Sequence, residues 1–504
     1  MKNLDFSVNP EELLKKVKNL RERVFNNGNE LFKKWEAKIN KKDFLSSAQN
    51  LSYYLALRAI DITDIQDELS LLGLSSLGRL ESRTLETIDA VICSLENILS
   101  EKIDLDCYPS RDNFWTGREK LEKNSETLFG AFPDNRKNMI LVTMHNDLSY
   151  NDIEDFMKRG MNLARINCAK ENPKIWDSII TNIRKAEKKL NKSCKILADI
   201  AGPKVRIKWI MSSLEKNRVK QGHKIFISNT DDAVFDSNYE VQIGCTLPEV
   251  LSKVKKGDAL LIDDGSIEGK VTEIKENGIV VSVNKVVKDK GVKIKTFKGI
   301  NFPNSNLELD ILTNKDKQDL DYVVENVDIA CISFINTSED IDYTISEIKK
   351  RLKDNKDNHP VIAKIETPEA INNLPEIIVA GAGNTNFGIM IARGDLAVEL
   401  GYLRFAEIQQ EILWICEAAD IPVIWATQVL ESMAKTGIPS RAEVTDAAEG
   451  GAKSECVMLN KGPYIADVIT FLDELLENMK ENNYKKSAKL RALNIAKNYF
   501  IKTK

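Results

Sequence analysis

Four polar side chains close short apolar runs, and together they could handle a phosphoryl group. Val361-Ile-Ala-Lys-Ile-Glu366 supplies a lysine and a carboxylate, Phe387-Gly-Ile-Met-Ile-Ala-Arg-Gly-Asp395 a second carboxylate, and Ile421-Pro-Val-Ile-Trp-Ala-Thr-Gln428 a hydroxyl at Thr427. Glu366 and Asp395 are hard oxygen donors of the kind that hold a divalent cation while leaving positions for substrate oxygens. Lys364 offers positive charge where negative charge develops during transfer. An ion pair between Lys364 and Glu366 is the plain structural alternative, and a surface lysine is disfavoured by the apolar run around Lys364. Leu163-Ala-Arg-Ile-Asn167 adds Arg165 and, two residues on and so on the same strand face, Asn167. A guanidinium there can grip a phosphate through two parallel hydrogen bonds, or pair with a carboxylate.

These side chains need a scaffold that brings several strand ends together. Each apolar run reads as a buried strand followed by helix-like sequence, the pattern of a parallel sheet; closed into a barrel, such a sheet carries its chemistry at the carboxyl ends of the strands. The pattern starts at Asn138-Met-Ile-Leu-Val-Thr143 and continues through Lys195-Ile-Leu-Ala-Asp199. After Gly202-Pro203 short β-like pieces with turn signals take over, including Gly257 to Gly265 and Asn277 to Ser282. Strand and helix alternate again from Asp328-Ile-Ala-Cys-Ile-Ser-Phe334. The expected organisation is a helical region over 1–135, a first barrel part over 136–204, an inserted β domain over 205–299, a second barrel part over 300–480 and a basic tail over 481–504. In the helical region, Ile62, Ile65, Leu69 and Leu72, and then Leu85, Ile88, Ile92, Leu95 and Leu99, recur at helical spacing. If exposed, these stripes would serve assembly. The intervening Gly73 to Arg79 reads as a helix-helix turn, or as an anion cradle at a helix start.

At 504 residues the chain is long enough for two or three domains. With 72 basic against 76 acidic residues the net charge is -4, which gives no reason to expect nucleic acid as a partner. Eight scattered cysteines without a CxxC pair, and three histidines, support neither a disulfide framework nor a zinc site, so a reducing cytoplasm is expected. No run approaches the roughly 20 apolar residues of a membrane span, and the amino terminus has no apolar signal region.

Taken in order, the motifs resemble the pyruvate kinase family over roughly residues 138 to 475: Met161 to Asn167, Asp263-Asp-Gly265, Lys298-Gly-Ile-Asn-Phe-Pro303, Lys364-Ile-Glu366, Ala392-Arg-Gly-Asp-Leu396, Ala426-Thr-Gln428 with Leu430-Glu-Ser-Met433, and Ser440-Arg-Ala-Glu-Val444. The resemblance implies an α/β fold, a TIM (β/α)8 barrel with an inserted small β-barrel domain, here with an N-terminal all-α extension and without the family's C-terminal regulatory domain. It implies phosphoryl transfer from phosphoenolpyruvate to ADP, giving pyruvate and ATP in glycolysis, with Mg2+ or Mn2+ on Glu366 and Asp395. Arg165, Lys364 and Thr427 would be catalytic, with Thr427 on the path that protonates the enolate. Arg165, Lys364, Gly394, Asp395 and Thr427 would bind substrate, and Asn167, Arg206 and Lys298 the nucleotide. A homo-oligomer is compatible with it.

Several residues depart from the family pattern. Ala169 and Lys170 stand where a serine and a histidine are usual, His145-Asn-Asp replaces a Gly-Pro-Ala-Ser turn, Asn336 replaces a frequent arginine, and Asn460-Lys-Gly-Pro463 replaces a Gly-Glu-Thr loop. Lys204 stands where a glutamate is usual near the family's potassium site. The expectation is that its ammonium, near Asp199, substitutes for the monovalent cation, so that K+ is not required. Two other readings stay open: an enolate-forming lyase on the same barrel, and a catalytically weak paralogue that binds or regulates.

Overall fold

The computed structural model describes residues 8–480 apart from 231–235, 304, 306, 308 and 354–357, together with the backbone of 483–484 and 487–488. Most of the expected basic tail therefore lies outside the described residues. Eight parallel strands form a closed barrel: β1 (Met139–Thr143), β2 (Leu163–Asn167), β3 (Lys195–Ile200), β4 (Ile329–Ile332), β5 (Val361–Ile365), β6 (Phe387–Ala392), β7 (Val423–Ala426) and β8 (Cys456–Leu459), with β8 pairing back onto β1. Helices follow the strands on the outside, and their starts are written in the sequence. Thr313 with Asp316, Thr337 with Asp340 and Ser440 with Glu443 each form a reciprocal capping box, so Ser440-Arg-Ala-Glu443 is a helix start as well as a family motif.

Strand alternation sorts the barrel's side chains. Ile140, Val142, Ala164, Ile166, Ile196 and Ala198 point outward into the helix layer, whereas Met139, Leu141, Leu163, Leu197, Cys331, Ile362, Met390, Ile424 and Met458 fill the interior. Two residues further along the same inward face come Thr143, Arg165, Asp199, Ser333 and Lys364. The barrel is thus an apolar plug topped by one polar layer at its carboxyl mouth.

The five N-terminal helices are α1 (Pro10–Glu36), α2 (Leu45–Arg58), α3 (Thr63–Leu71), α4 (Thr84–Leu99) and α5 (Arg111–Phe129). They close the opposite end: Leu128 and Phe129 at the end of α5 pack into the barrel's interior cluster. Asn50 of α2 donates to Ala418 O at 2.7 Å, and Trp35 of α1 donates to Glu376 at 2.8 Å. The stripes on α3 and α4 are largely covered rather than free for assembly, although Leu99 at the end of α4 stays exposed. Leu69, Ile88 and Leu95 are buried in one cluster with Leu13, Val17, Leu20 and Val24 of α1, a helix whose start is set by the Asn9 cap and Pro10. Gly73 to Arg79 is a turn held by Gln66, whose amide donates to Ser76 O at 2.8 Å; α4 begins only at Thr84, so the anion-cradle reading fails. A further correction concerns the cysteines. Cys93 in α4 and Cys107 in the loop after it are joined in a disulfide, because that loop folds back over the helix end; the other six are buried and form no disulfide.

Between β3 and β4 the chain leaves the barrel for a seven-stranded sheet with a core of its own, including Ile207, Ile225, Ile243, Leu260, Val281 and Ile300. Its edge strands, Ile207–Ser212 and Ile300–Asn301, meet at the root through an antiparallel bridge between Arg206 and Gly299, with Ile207 N donating to Lys298 O at 2.9 Å. The sheet therefore curls back on itself where it joins the barrel. No helix among the described residues is long and apolar enough to cross a membrane.

Candidate active site

The polar layer at the mouth is a network of buried ions. Lys364 Nζ lies 3.0 Å from Glu366 Oε1 and 3.4 Å from Asp199 Oδ1, and donates to Ser333 Oγ at 2.8 Å. Its side chain is 13% exposed, that of Asp199 4% and that of Glu366 1%. Burial works against the ammonium, yet the two carboxylates outweigh it and hold the lysine's proton tightly, well above the ordinary value. Burial also works against ionised Asp199, and there too the cations win: Lys364 and Arg165 keep its carboxyl below the usual range. Arg165 donates from Nε at 2.8 Å and from Nη2 at 2.6 Å to Asp199 Oδ2, and from Nη1 to Thr143 at 3.0 Å. The guanidinium is thereby locked, with its remaining N–H hydrogens available to an anion.

Glu366 and Asp395 differ in their electrostatics. Burial raises the carboxyl of Glu366, and the neighbouring charge of Asp395 adds to the rise against the opposing pull of Lys364 and Lys204. Glu366 Oε2 accepts from Phe334 N at 2.7 Å. Asp395 is held below its ordinary value, since Lys204 overcomes the effect of burial. This pair of close, buried carboxylates fits a hard divalent cation, whose charge would relieve their repulsion. Among the described residues no group of three or more His, Cys, Asp and Glu is arranged to hold a metal, at this mouth or elsewhere, so the two carboxylates would need substrate or water oxygens to complete a cation's shell.

Lys204 differs in position from the sequence expectation. Its Nζ sits 2.5 Å from Asp395 Oδ1, while the partners of Asp199 are Arg165 and Lys364. The reason is the path of the chain: Lys204 lies at the insert's root and its stem runs along Gly299, where a Cβ would stand 3.0 Å from Lys204 Cε. Backbone packing across the root thus aims the ammonium at the segment after β6.

Thr427 takes a left-handed backbone (φ 65°), uncommon for a β-branched residue, and its Oγ1 accepts from Gly394 N at 2.7 Å. Arg393 supports this turn by donating to Ala426 O and Thr427 O while pairing with Asp446. Arg206 and Lys298 flank the root of the insert. Arg206 donates to Phe297 O at 3.3 Å and feels the charges of Asp395, Asp264 and Glu366, while Lys298 pairs with Asp263 at 2.6 Å. Asn167 caps its own loop, accepting from Ala169 N at 3.1 Å. Beside the mouth, sharing Lys204 with it, lies a cavity of about 570 Å3 lined by Ile300, Phe302, Phe334, Thr367 and Glu399. Sequence reasoning missed Thr143 and Ser333, the hydroxyls that accept from Arg165 and Lys364. Their signal was available: both end apolar strand runs on the inward register.

The family model for the pyruvate kinase barrel domain matches residues 135–464. The chain belongs to the pyruvate kinase family. Among relatives named pyruvate kinase, that of Thermotoga maritima is 34% identical over 301 residues, 60% of this chain and 60% of its own length; that of Thermococcus litoralis is 32% identical over 335 residues, 65% and 66% respectively. The aligned part of the chain thus spans just under two thirds of these pyruvate kinases. A crystal structure of a pyruvate kinase from Cryptosporidium parvum superposes with a TM-score of 0.59 at 28% identity, covering 70% of this chain and 72% of that one.

Proposed function

We propose that the chain transfers the phosphoryl group of phosphoenolpyruvate to ADP, yielding pyruvate and ATP in glycolysis. The observation that carries this reading is Lys364, a buried ammonium fixed between Asp199 and Glu366 in a mouth that also holds Arg165 and Thr427. In the reaction the bond between phosphorus and the enol oxygen breaks, a bond to the terminal phosphate oxygen of ADP forms, and the enolate takes a proton at its terminal carbon. Lys364 stabilises the negative charge on the oxygens exchanged, and the network prevents it from losing its proton or its place. Arg165, locked by Asp199 and Thr143, offers its free N–H hydrogens to the phosphoryl oxygens. Thr427, whose oxygen accepts from Gly394 N, keeps its own hydrogen for the proton path to the enolate. Glu366 and Asp395 would hold Mg2+ or Mn2+, which supplies Lewis acidity toward phosphoryl oxygens. Arg206 and Lys298 supply positive charge from the insert's two roots.

Lys204 takes the role of a fixed monovalent cation in this reading, acting on Asp395 rather than Asp199, and the reaction proceeds without potassium. The test is pyruvate formation from phosphoenolpyruvate and ADP with magnesium, in potassium and in a large inert cation at equal ionic strength. Equal turnover in both supports the reading as a whole. Turnover only with potassium removes the role given to Lys204, and no turnover with any nucleoside diphosphate overturns the kinase.

A further inference from the structure

The outer layer of the barrel is furrowed on one side. Helices α6 (Tyr402–Ala418) and α7 (Arg441–Lys453) follow β6 and β7 and run from the mouth toward the opposite end. Between them lies a groove of about 690 Å3, with Leu413, Trp414 and Trp425 among its apolar residues and Glu407 and Glu449 among its charged ones. Three buried polar atoms on its lining residues, Gln409 Oε1, Gln410 Nε2 and Trp425 Nε1, have no hydrogen-bond partner among the described residues. The indole nitrogen is packed against Gly450, where a Cβ would stand 2.4 Å from it, but the two glutamine amides can turn toward a polar group laid in the groove. Among the described residues Glu407 has no ion pair, and Glu449 pairs with Lys453 at 2.5 Å. Apolar surface continues at the mouth end, where Leu403 is 98% exposed and Tyr402 79%.

The chain itself comes to this groove. Helix α8 (Ile465–Lys480) follows β8 in the same direction, and its last residue donates to Asp134 O at 2.6 Å; the backbone of Asn483–Tyr484 then lies against α7 and α8. Residues 485–504 carry seven basic side chains and no acidic one, and Leu490, Leu493, Ala496 and Phe500 recur there at helical spacing. Such spacing seats an amphipathic segment in a groove, and its charge here is opposite to that of Glu407 and Glu449. Even at the ~1.5 Å per residue of a helix, residues 489–504 span about 24 Å, against about 20 Å for the 13 residues of α7. A tether this short holds the segment near the groove at an effective concentration on the order of millimolar, which favours it over a second copy. We propose that residues 485–504 lie along the groove between α6 and α7 of their own chain. Leu490 and Leu493 meet Leu413 and Trp414, Tyr499 to Ile501 reach the exposed Tyr402 and Leu403, and the lysines face Glu407 and Glu449. This docking lies on the outer face of the barrel and is independent of the phosphotransferase reading.

The experiment is carbodiimide coupling of the full chain, in an equal mixture of ordinary and 15N-labelled protein. The reagent joins lysines to carboxylates that they touch, and peptide mass spectrometry shows whether each link lies within one chain. Lys489 or Lys497 should be joined to Glu407 or Glu449, in peptides of a single label. The double variant L490E/L493E places two charges of the groove's own sign on the segment's apolar face. In it these links should be lost, and deuterium uptake should rise over residues 406–414 and 442–453 while the far side of the barrel stays unchanged. Links that join differently labelled chains would give the groove to a second copy and overturn the docking. Absent links, links only to carboxylates on other faces, or links and uptake that L490E/L493E leaves unchanged would overturn it as well.

Discussion

Replacing Lys364 with methionine tests whether the ion network at the mouth is the source of transfer. At 3.0 Å from Glu366 and 3.4 Å from Asp199 the gross attraction is about 5 kcal/mol for each contact at an effective dielectric of about 20. Desolvation of three buried ions offsets most of this, and removing one member of such a cluster costs a net ~3–5 kcal/mol, because charge is left uncompensated. At roughly 2–4 °C per kcal/mol for a domain of this size, Tm should fall by ~10 °C. The loss should depend on pH with a definite sign. Glu366 already has its carboxyl raised by burial and by Asp395, and without Lys364 it rises further. A group with a raised folded-state value stabilises fully below its unfolded value and loses that contribution as pH rises through the folded one. The Tm deficit of K364M should therefore widen from mildly acidic to alkaline buffer. Pyruvate formation should drop by roughly a hundredfold or more. A rate within tenfold of wild type, or a Tm deficit that stays constant with pH, would refute the reasoning.

Substitutions at three further positions probe the surrounding parts. Thr427→Val removes the acceptor of Gly394 N and the mobile hydroxyl, so proton exchange at the methyl carbon of pyruvate should slow by about a hundredfold, whereas Thr427→Ser should stay within about threefold of wild type. Gly299→Ala places a Cβ 3.0 Å from Lys204 Cε, the far part of a flexible side chain; Tm should move by no more than about 1 °C, while activity should become several-fold higher with potassium than without. Identical activity in the two buffers would show that the position of Lys204 is immaterial. Cys93→Ser opens a cross-link between residues 14 apart in sequence, worth about 3 kcal/mol on chain-entropy grounds; hydrogen exchange should rise at the end of α4 and in the loop to Cys107, and a barrel-wide rise would contradict the local role.

The barrel and its polar mouth were legible because they obey a period of two. An inward Leu163 requires an inward Arg165, an inward Ile362 requires an inward Lys364, and runs that end on such residues announce both strand and site. The capping boxes at Thr313, Thr337 and Ser440 were equally readable from spacing. What the sequence did not reveal depends on contacts between distant segments. Lys204 reaches Asp395 because the insert's two roots pack at Gly299, a juxtaposition between residues separated by almost the whole inserted domain. The pairing of Cys93 with Cys107 depends on how one loop folds back, and the covering of the α3 and α4 stripes depends on their packing against α1, a contact that their own spacing does not announce.

The placement of Lys204 changes the charge balance of the mouth. Asp199, Glu366 and Asp395 carry three negative charges, and Arg165, Lys364 and Lys204 carry three positive ones within the same network. A glutamate at position 204, the residue usual in the family, would leave the set two charges more negative and dependent on cations from solution. With lysine there the cluster is neutral on its own, so its geometry does not wait on a monovalent ion. A neutral frame also makes the divalent cation's charge fully available to an anionic substrate. The cost falls on the divalent site, since the ammonium that settles the frame stands on Asp395, one of its two carboxylates, and must share that carboxylate or yield it. Lys204→Gln should therefore weaken the frame and strengthen the metal site together: Mn2+ should bind several-fold more tightly by paramagnetic titration, while turnover falls. Weaker Mn2+ binding in that variant would mean that Lys204 supports the metal site and does not compete for it.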